Sequence, residues 1–251
     1  MMKFYIIFIL LVLSLIGCQP EKEKLNAQKI VDLAIEISGK DKFRSADISF
    51  NFRNRKYLSK GNCGNFMYTR IRKDSVGKIK DVYNSQKKLS RYINDSLITI
   101  ADSTSNKYAE SINSVMYFVQ LPYRLNDNAV NKTYKGLDSI KGKEYHKIAV
   151  DFDQEGGGTD YQDNYLYWFN TEDYKLDYLA YSFVVNGGGI RFREAYNERI
   201  IEGIRFIDYK NYKPKTETLK LHNISKAFEN DKLELLSEIK NENIKVERKN
   251  C

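Results

Sequence analysis

Two periods of apolar and polar positions run along the chain. The stretch "LNAQKIVDLAIEISGK" places Ala27, Ile30, Val31, Ala34 and Ile35 at the i, i+3, i+4, i+7, i+8 spacing of one helical face, and Gly39 follows as a stop signal. The period then shortens to two. "ADISFNFRNRKYL" sets Ile48, Phe50 and Phe52 against Asp47, Ser49, Asn51 and Arg53, and "GNFMYTRIRKD" continues in the same manner, so half-buried antiparallel strands are expected. Further strands are expected at 77–84, 88–93, 97–100, 133–140, 144–152, 165–170, 176–185, 189–196 and 204–212. One segment breaks the series: in "ESINSVMYFVQLPYRL", Ile112, Val115, Met116, Val119 and Gln120 recur at helical spacing before Pro122. A helix apolar on most sides is buried, and the natural place for this one, 112–121, is the concave side of the sheet. Another helical stretch is expected at 232–239, ahead of a short apolar end at Ile244 and Val246. The fold class is mainly β (α+β): a strongly curved antiparallel sheet, or open half-barrel, with an N-terminal helix and an apolar helix packed on its concave face.

Residues 1–17 follow neither period. Lys3, followed by an apolar run from Phe4 to Leu15, has the layout of an export signal, and the run is shorter than the roughly 20 residues that a membrane-spanning helix needs. Leu15-Ile16-Gly17-Cys18 resembles the lipobox of bacterial lipoproteins. That resemblance implies cleavage before Cys18 and acylation of the cysteine, and more than one acyl chain makes anchoring stable. Residues 1–17 therefore read as a lipoprotein signal peptide, 18–26 as a lipidated tether and 27–251 as a single β domain. Gln19 stands where the enterobacterial sorting rule has the aspartate that retains lipoproteins in the inner membrane. An outer-membrane location is implied, on the periplasmic face by default, with surface display as the alternative raised by the acidic residues of the Pro20-Glu21-Lys22-Glu23-Lys24 tether.

Hydrophobic residues make up 42% of the chain and aromatic ones 13%, enough for a sizeable core, and three prolines with no low-complexity linker mark no domain boundary. Tyrosine dominates the aromatic share, 19 residues against one Trp, which suits half-exposed sheet faces and ligand grooves. The net charge of +8 is spread through mixed stretches such as "ENDKLELLSEIKNENIKVERK". Without an uninterrupted basic block, nucleic acid is not an expected partner, whereas anionic headgroups or glycans suit the excess. Cys63 and Cys251 leave a disulfide open either way.

The N-terminal helix, the long strand series, the mid-chain helix and the lipobox together resemble the outer-membrane lipoprotein-sorting fold, the LolA/LolB-like half-barrel. The hairpin "YLYWFNTEDYKLDYLAY" carries the most local likeness. With "AQKIVDLAIEISGK", "INSVMYFVQLPY" and "GGGIRFREAYNERIIEGIRFIDYKNYKP" it is also similar to a family of uncharacterised Gram-negative outer-membrane lipoproteins. Cys18 sets the chain apart from the soluble carrier of the sorting system and makes the anchored receptor the nearer comparison. Fold alone does not assign an activity.

Chemistry is sparse. Asp151, Asp153 and Glu155 before Gly156 match the first half of a calcium loop, but its closing position would be Gln162, and a glycine hairpin rimmed by solvated acids is the plainer reading. His146 and His222 come with no catalytic motif, so no catalytic residue, metal or cofactor is expected. If the strands beside the two glycine triplets are neighbours, His146, Asp153, Glu155, Arg191, Arg193 and Glu194 form a polar rim. Met116, Phe118, Tyr165, Tyr167, Trp168, Phe169, Tyr178, Tyr181 and Phe183 are the candidate lining of a groove between helix and sheet. The expectation is a monomeric, lipid-anchored, non-enzymatic protein that binds a lipid, an acyl chain or another hydrophobic or amphipathic ligand. The alternatives are an envelope or surface interaction protein with a self-filled core and, behind it, a hydrolase-type enzyme.

Overall fold

Helix α1 (Ala27–Ile37) buries the five residues named by its spacing, Ala27, Ile30, Val31, Ala34 and Ile35. Its first turn is capped by the Asn26 side chain, which accepts from the Lys29 N–H at 2.9 Å. At its end Gly39 takes φ +113°, where a Cβ would stand 2.8 Å from the Gly203 carbonyl oxygen. The computed structural model describes residues 25–62, 65–86, 88–155, 161–184 and 187–249. The expected signal peptide, the expected tether up to residue 24, both late cysteines and the glycines at 156–158 lie outside them.

A one-turn helix, α2 (Asp41–Ser45), leads into the first antiparallel sheet. It holds β1 (Ala46–Phe52), β2 (Arg55–Asn62), β3 (Asn65–Asp74), β4 (Gly77–Asn84), β5 (Leu89–Ile93) and β6 (Ser96–Ile98), with the C-terminal β14 (Glu242–Arg248) paired on the free side of β1. Helix α3 (Asp102–Val119) then crosses to the second sheet. That sheet runs in the order β13-β12-β11-β10-β9-β8-β7 through β7 (Val130–Ile140), β8 (Lys143–Phe152), β9 (Asn164–Asn170), β10 (Leu176–Phe183), β11 (Gly189–Ile201), β12 (Ile204–Pro214) and β13 (Leu233–Ile239). The protein is mainly β with few helices, and its sheets do not close. The single curved sheet expected from the pattern is divided into two of seven strands, bridged where β13 passes into β14 through Lys240 and Asn241.

Helix α3 lies between the sheets. Ile112 and Met116 pack with Phe50, Tyr57 and Tyr68 of the first sheet, and Tyr117 packs with Tyr167, Phe169 and Leu179 of the second. It starts ten residues earlier than the apolar run implied and is not apolar all round: Ser111 and Ser114 are exposed. Polar clamps hold both of its sides. Arg70 reaches Ser111 Oγ at 3.0 Å, and the Tyr117 and Tyr167 hydroxyls are 3.2 Å apart.

The segment 232–239 is a strand. Its leucines fit a helical spacing, but the backbone ends the short helix α4 (Ile224–Glu229) at Asp231, whose φ is +52°, and Leu233–Ile239 finds a ladder along β12. Pairing with an open sheet edge overrides the local pattern. Ile244 and Val246 likewise belong to a strand, β14. Helix α4 covers the outer face of the second sheet, where Trp168, Tyr178, Phe192 and Phe228 form a further core. Among the described residues no helix is long and apolar enough to cross a membrane.

Candidate functional site

The inner face of the second sheet, α3 and the turn after β1 enclose a cavity of about 410 Å³, within the range of roughly 300–1,000 Å³ typical of ligand pockets. Strand alternation builds its floor. Tyr165 of β9, Tyr181 and Phe183 of β10, Arg191 and Arg193 of β11, Tyr209 and Asn211 of β12, and Ser237 and Ile239 of β13 all project to one side. The opposite wall is Ser114, Val115, Phe118 and Val119 of α3, and Phe52 and Arg53 complete the lining from the end of β1.

The aromatic groups are in mutual contact. Tyr165 and Tyr181 stack at 5.4 Å between centroids, Phe118 meets Tyr181 at 5.7 Å, and Phe183 continues the row at 6.1 Å from Tyr181. Polar atoms are set among them without protein partners. The Tyr209 hydroxyl and the Asn211 Oδ1 are buried and accept or donate no hydrogen bond, and burial pushes the Tyr209 hydroxyl up to about 12. The floor therefore combines a row of aromatic rings with two arginines and a few unfilled hydrogen-bonding positions, a make-up suited to a binding pocket.

The expected groove residues divide three ways. Phe118, Tyr165, Tyr181 and Phe183 line the cavity. Tyr167 and Phe169 share the inner face but are fully covered, and Met116 turns to the first sheet. Trp168 and Tyr178 point the opposite way, under α4. They cannot share a face with Tyr167 and Phe169, because successive side chains of a strand alternate, and the irregularity between Leu176 and Tyr178 sets the register of β10 against Trp168.

The polar rim does not assemble as one group. Strands β8 and β11 are separated by β9 and β10, three strand spacings or about 14 Å. Arg191 and Arg193 line the cavity; Glu194, one residue on, faces outward and accepts from the Tyr212 hydroxyl at 3.1 Å. Asp153 accepts from Asn131 at 2.8 Å, at the end of β8. Glu155 borders a second, more polar hollow beside Tyr68 and Gln120, where Arg124 is already paired with Asp127. His146 pairs across the ladder with Phe169, four residues along β9 from Tyr165, and stacks on Tyr174. Burial lowers its pKa, with the Glu144 charge acting the other way. Among the described residues no group of three or more metal-binding side chains converges.

Sequence reasoning missed Tyr209, Asn211, Ser237 and Ile239. Tyr209 and Asn211 alternate on an expected strand and were open to detection. Ser237 and Ile239 fell in the segment read as helical.

A search of curated proteins finds no relative of this chain. Among solved structures, a DUF1329 family protein from Desulfovibrio piger is 12% identical with a TM-score of 0.50, over 87% of this chain and 92% of that one. A LolA superfamily protein from Nitrosomonas europaea is 13% identical with a TM-score of 0.47, over 89% and 92%. At such identities the likeness is one of fold. A family model matches residues 4–241, nearly the whole chain, and by that match the protein belongs to DUF6503, a family of unknown function.

Proposed function

We propose that the protein is a lipid-anchored outer-membrane lipoprotein that holds a lipid or acyl chain in the cavity between α3 and the second sheet. The observation that carries this reading is the row of touching aromatic rings, Phe118, Tyr165, Tyr181 and Phe183, around a cavity of about 410 Å³. Each methylene buried there contributes about 0.8 kcal/mol, so a chain can be held without any catalytic group. Lipid extraction and mass spectrometry of the purified full-length protein test the reading. Ser114→Trp is the informative variant: Ser114 is exposed and lines the cavity, so an indole there fills the space while removing no core contact. Co-purifying lipid is expected to fall about tenfold in this variant, equivalent to roughly 1.4 kcal/mol, with the melting temperature nearly unchanged. Lipid recovered equally from both proteins would count against the cavity.

Support for the anchor comes from Leu15-Ile16-Gly17-Cys18, and for the outer membrane from Gln19. Cys18→Ala is expected to abolish acylation and leave the protein unprocessed or released, as read by metabolic labelling with radioactive palmitate and by membrane fractionation. A processed variant still behaving as an integral outer-membrane lipoprotein would refute the anchor.

A further inference from the structure

We infer that the cavity selects an anionic single-chain amphiphile, with the acyl chain along the aromatic row and the charged head at Arg193. This rests on the cavity being a binding site. The starting point is a missing counter-charge. Arg193 is 7% exposed, and an ionised side chain buried to that degree is normally paired, because the desolvation cost is otherwise uncompensated. The other strongly buried arginines in the sheets follow the rule: Arg70 and Arg91 share Asp81, and Arg205 is bound to Glu198 at 2.7 Å. Arg193 differs. Among the described residues no carboxylate lies within ion-pair distance of it; Nη2 donates to the Tyr181 hydroxyl at 3.0 Å, and Nε has no partner.

Its surroundings are those of a half-built site. The guanidinium lies 3.8 Å from the Phe118 ring centroid and 5.3 Å from that of Tyr181, so the charge is held against the apolar row. Two residues along the same face of β11, Arg191 stands over Phe183 at 5.0 Å. The charged lining consists of Arg53, Arg191 and Arg193 against Asp163 alone, an excess of positive charge in a partly closed space, which strengthens attraction for an anion. Opposite Arg193 on β12 is Asn211, whose Oδ1 is unpartnered. A guanidinium fork matches the two oxygens of a carboxylate or phosphate. The chemistry is thus an acyl chain ending in such a head, whether a free fatty acid or a lysophospholipid.

The test uses the full-length protein in phosphatidylcholine nanodiscs, photolabelled with a diazirine-bearing palmitate and mapped by peptide mass spectrometry. Label is expected on the α3 and β10 peptides. Unlabelled palmitate or lysophosphatidylglycerol should displace it, the better of the two identifying the source of the head, while hexadecanol, which has the chain without the charge, should need about tenfold more. Arg193→Gln is expected to erase that difference and Arg193→Lys to retain part of it. Since Arg193 also packs on Phe118, Asn211→Asp gives a second reading. It leaves the guanidinium in place, sets a carboxylate opposite it, and should weaken labelling about tenfold. Hexadecanol competing as well as palmitate, or Asn211→Asp labelling at the wild-type level, would overturn the anionic head and leave the apolar site standing. Absence of label from the cavity peptides would overturn the binding site itself.

Discussion

Replacing Asp81 with asparagine is expected to destabilise the protein by about 3–5 kcal/mol, the cost of removing one partner from a buried charge cluster. Asp81 is fully buried and receives Arg70 Nη2 at 2.8 Å and Arg91 Nε at 2.7 Å, while both arginines are themselves almost covered. Asparagine preserves the shape but leaves two buried guanidinium groups with no opposing charge. The damage should spread to α3, because Arg91 stacks 3.7 Å from the centroid of Tyr108 and Arg70 donates to Ser111, both on that helix. Urea denaturation followed by circular dichroism measures the loss, and a change below about 1 kcal/mol would show that the cluster contributes little. The pH dependence has a fixed sign. Burial raises the Asp81 pKa, but hydrogen bonds from Arg91 and Arg70 and the charges of both outweigh it, so the folded value lies below the ordinary carboxylate one. The stabilisation is fully present above the unfolded pKa of about 3.9 and is lost as pH falls through the folded value. Wild-type protein should therefore lose stability more steeply than Asp81→Asn in that acid window.

Trp168→Ala is expected to be of similar size, about 3–5 kcal/mol, yet to leave the cavity's ligand affinity intact. Trp168 is fully buried beneath α4, in edge contact with Phe192 at 5.8 Å, and its indole N–H donates to Asp138 at 3.0 Å. Asp138 also accepts from Lys147 and, at 2.9 Å, from Ser225 of α4. Alanine opens a void and takes away one of the three side-chain donors that hold this carboxylate, so α4 should loosen with the core. A thermal melt should show a fall on the order of 10 °C, whereas palmitate photolabelling of the α3 and β10 peptides at 25 °C should match wild type. Loss of labelling in the folded variant would place Trp168 on the ligand side of the sheet after all.

What could be read from the sequence follows what each residue's neighbours in the chain determine. The apolar face of α1 is set by spacing alone, and its five buried residues are those the spacing names. The alternation of β1 likewise places Ile48 and Phe50 in the core. The cavity is different in kind. Arg193 and Asn211 meet because β11 and β12 pair, and Phe118 joins them because α3 crosses the sheet. Nothing within ten residues of Arg193 states that no carboxylate will reach it. The run "YLYWF" shows both sides of the matter: its apolarity marks a strand buried on both faces, but only the helix on each side decides which of its rings can touch a ligand.

The pairing of β14 with β1 joins Ala46 to Arg248, and β1 is flanked on its other side by β2. The outermost strand beside β1 is thus the last of the fold, about two hundred residues away along the chain. Contacts so distant in sequence slow folding, since a long loop must be closed before they form. For a chain threaded from its N-terminus through a pore, the first sheet would lack its seventh strand until the last residues emerged.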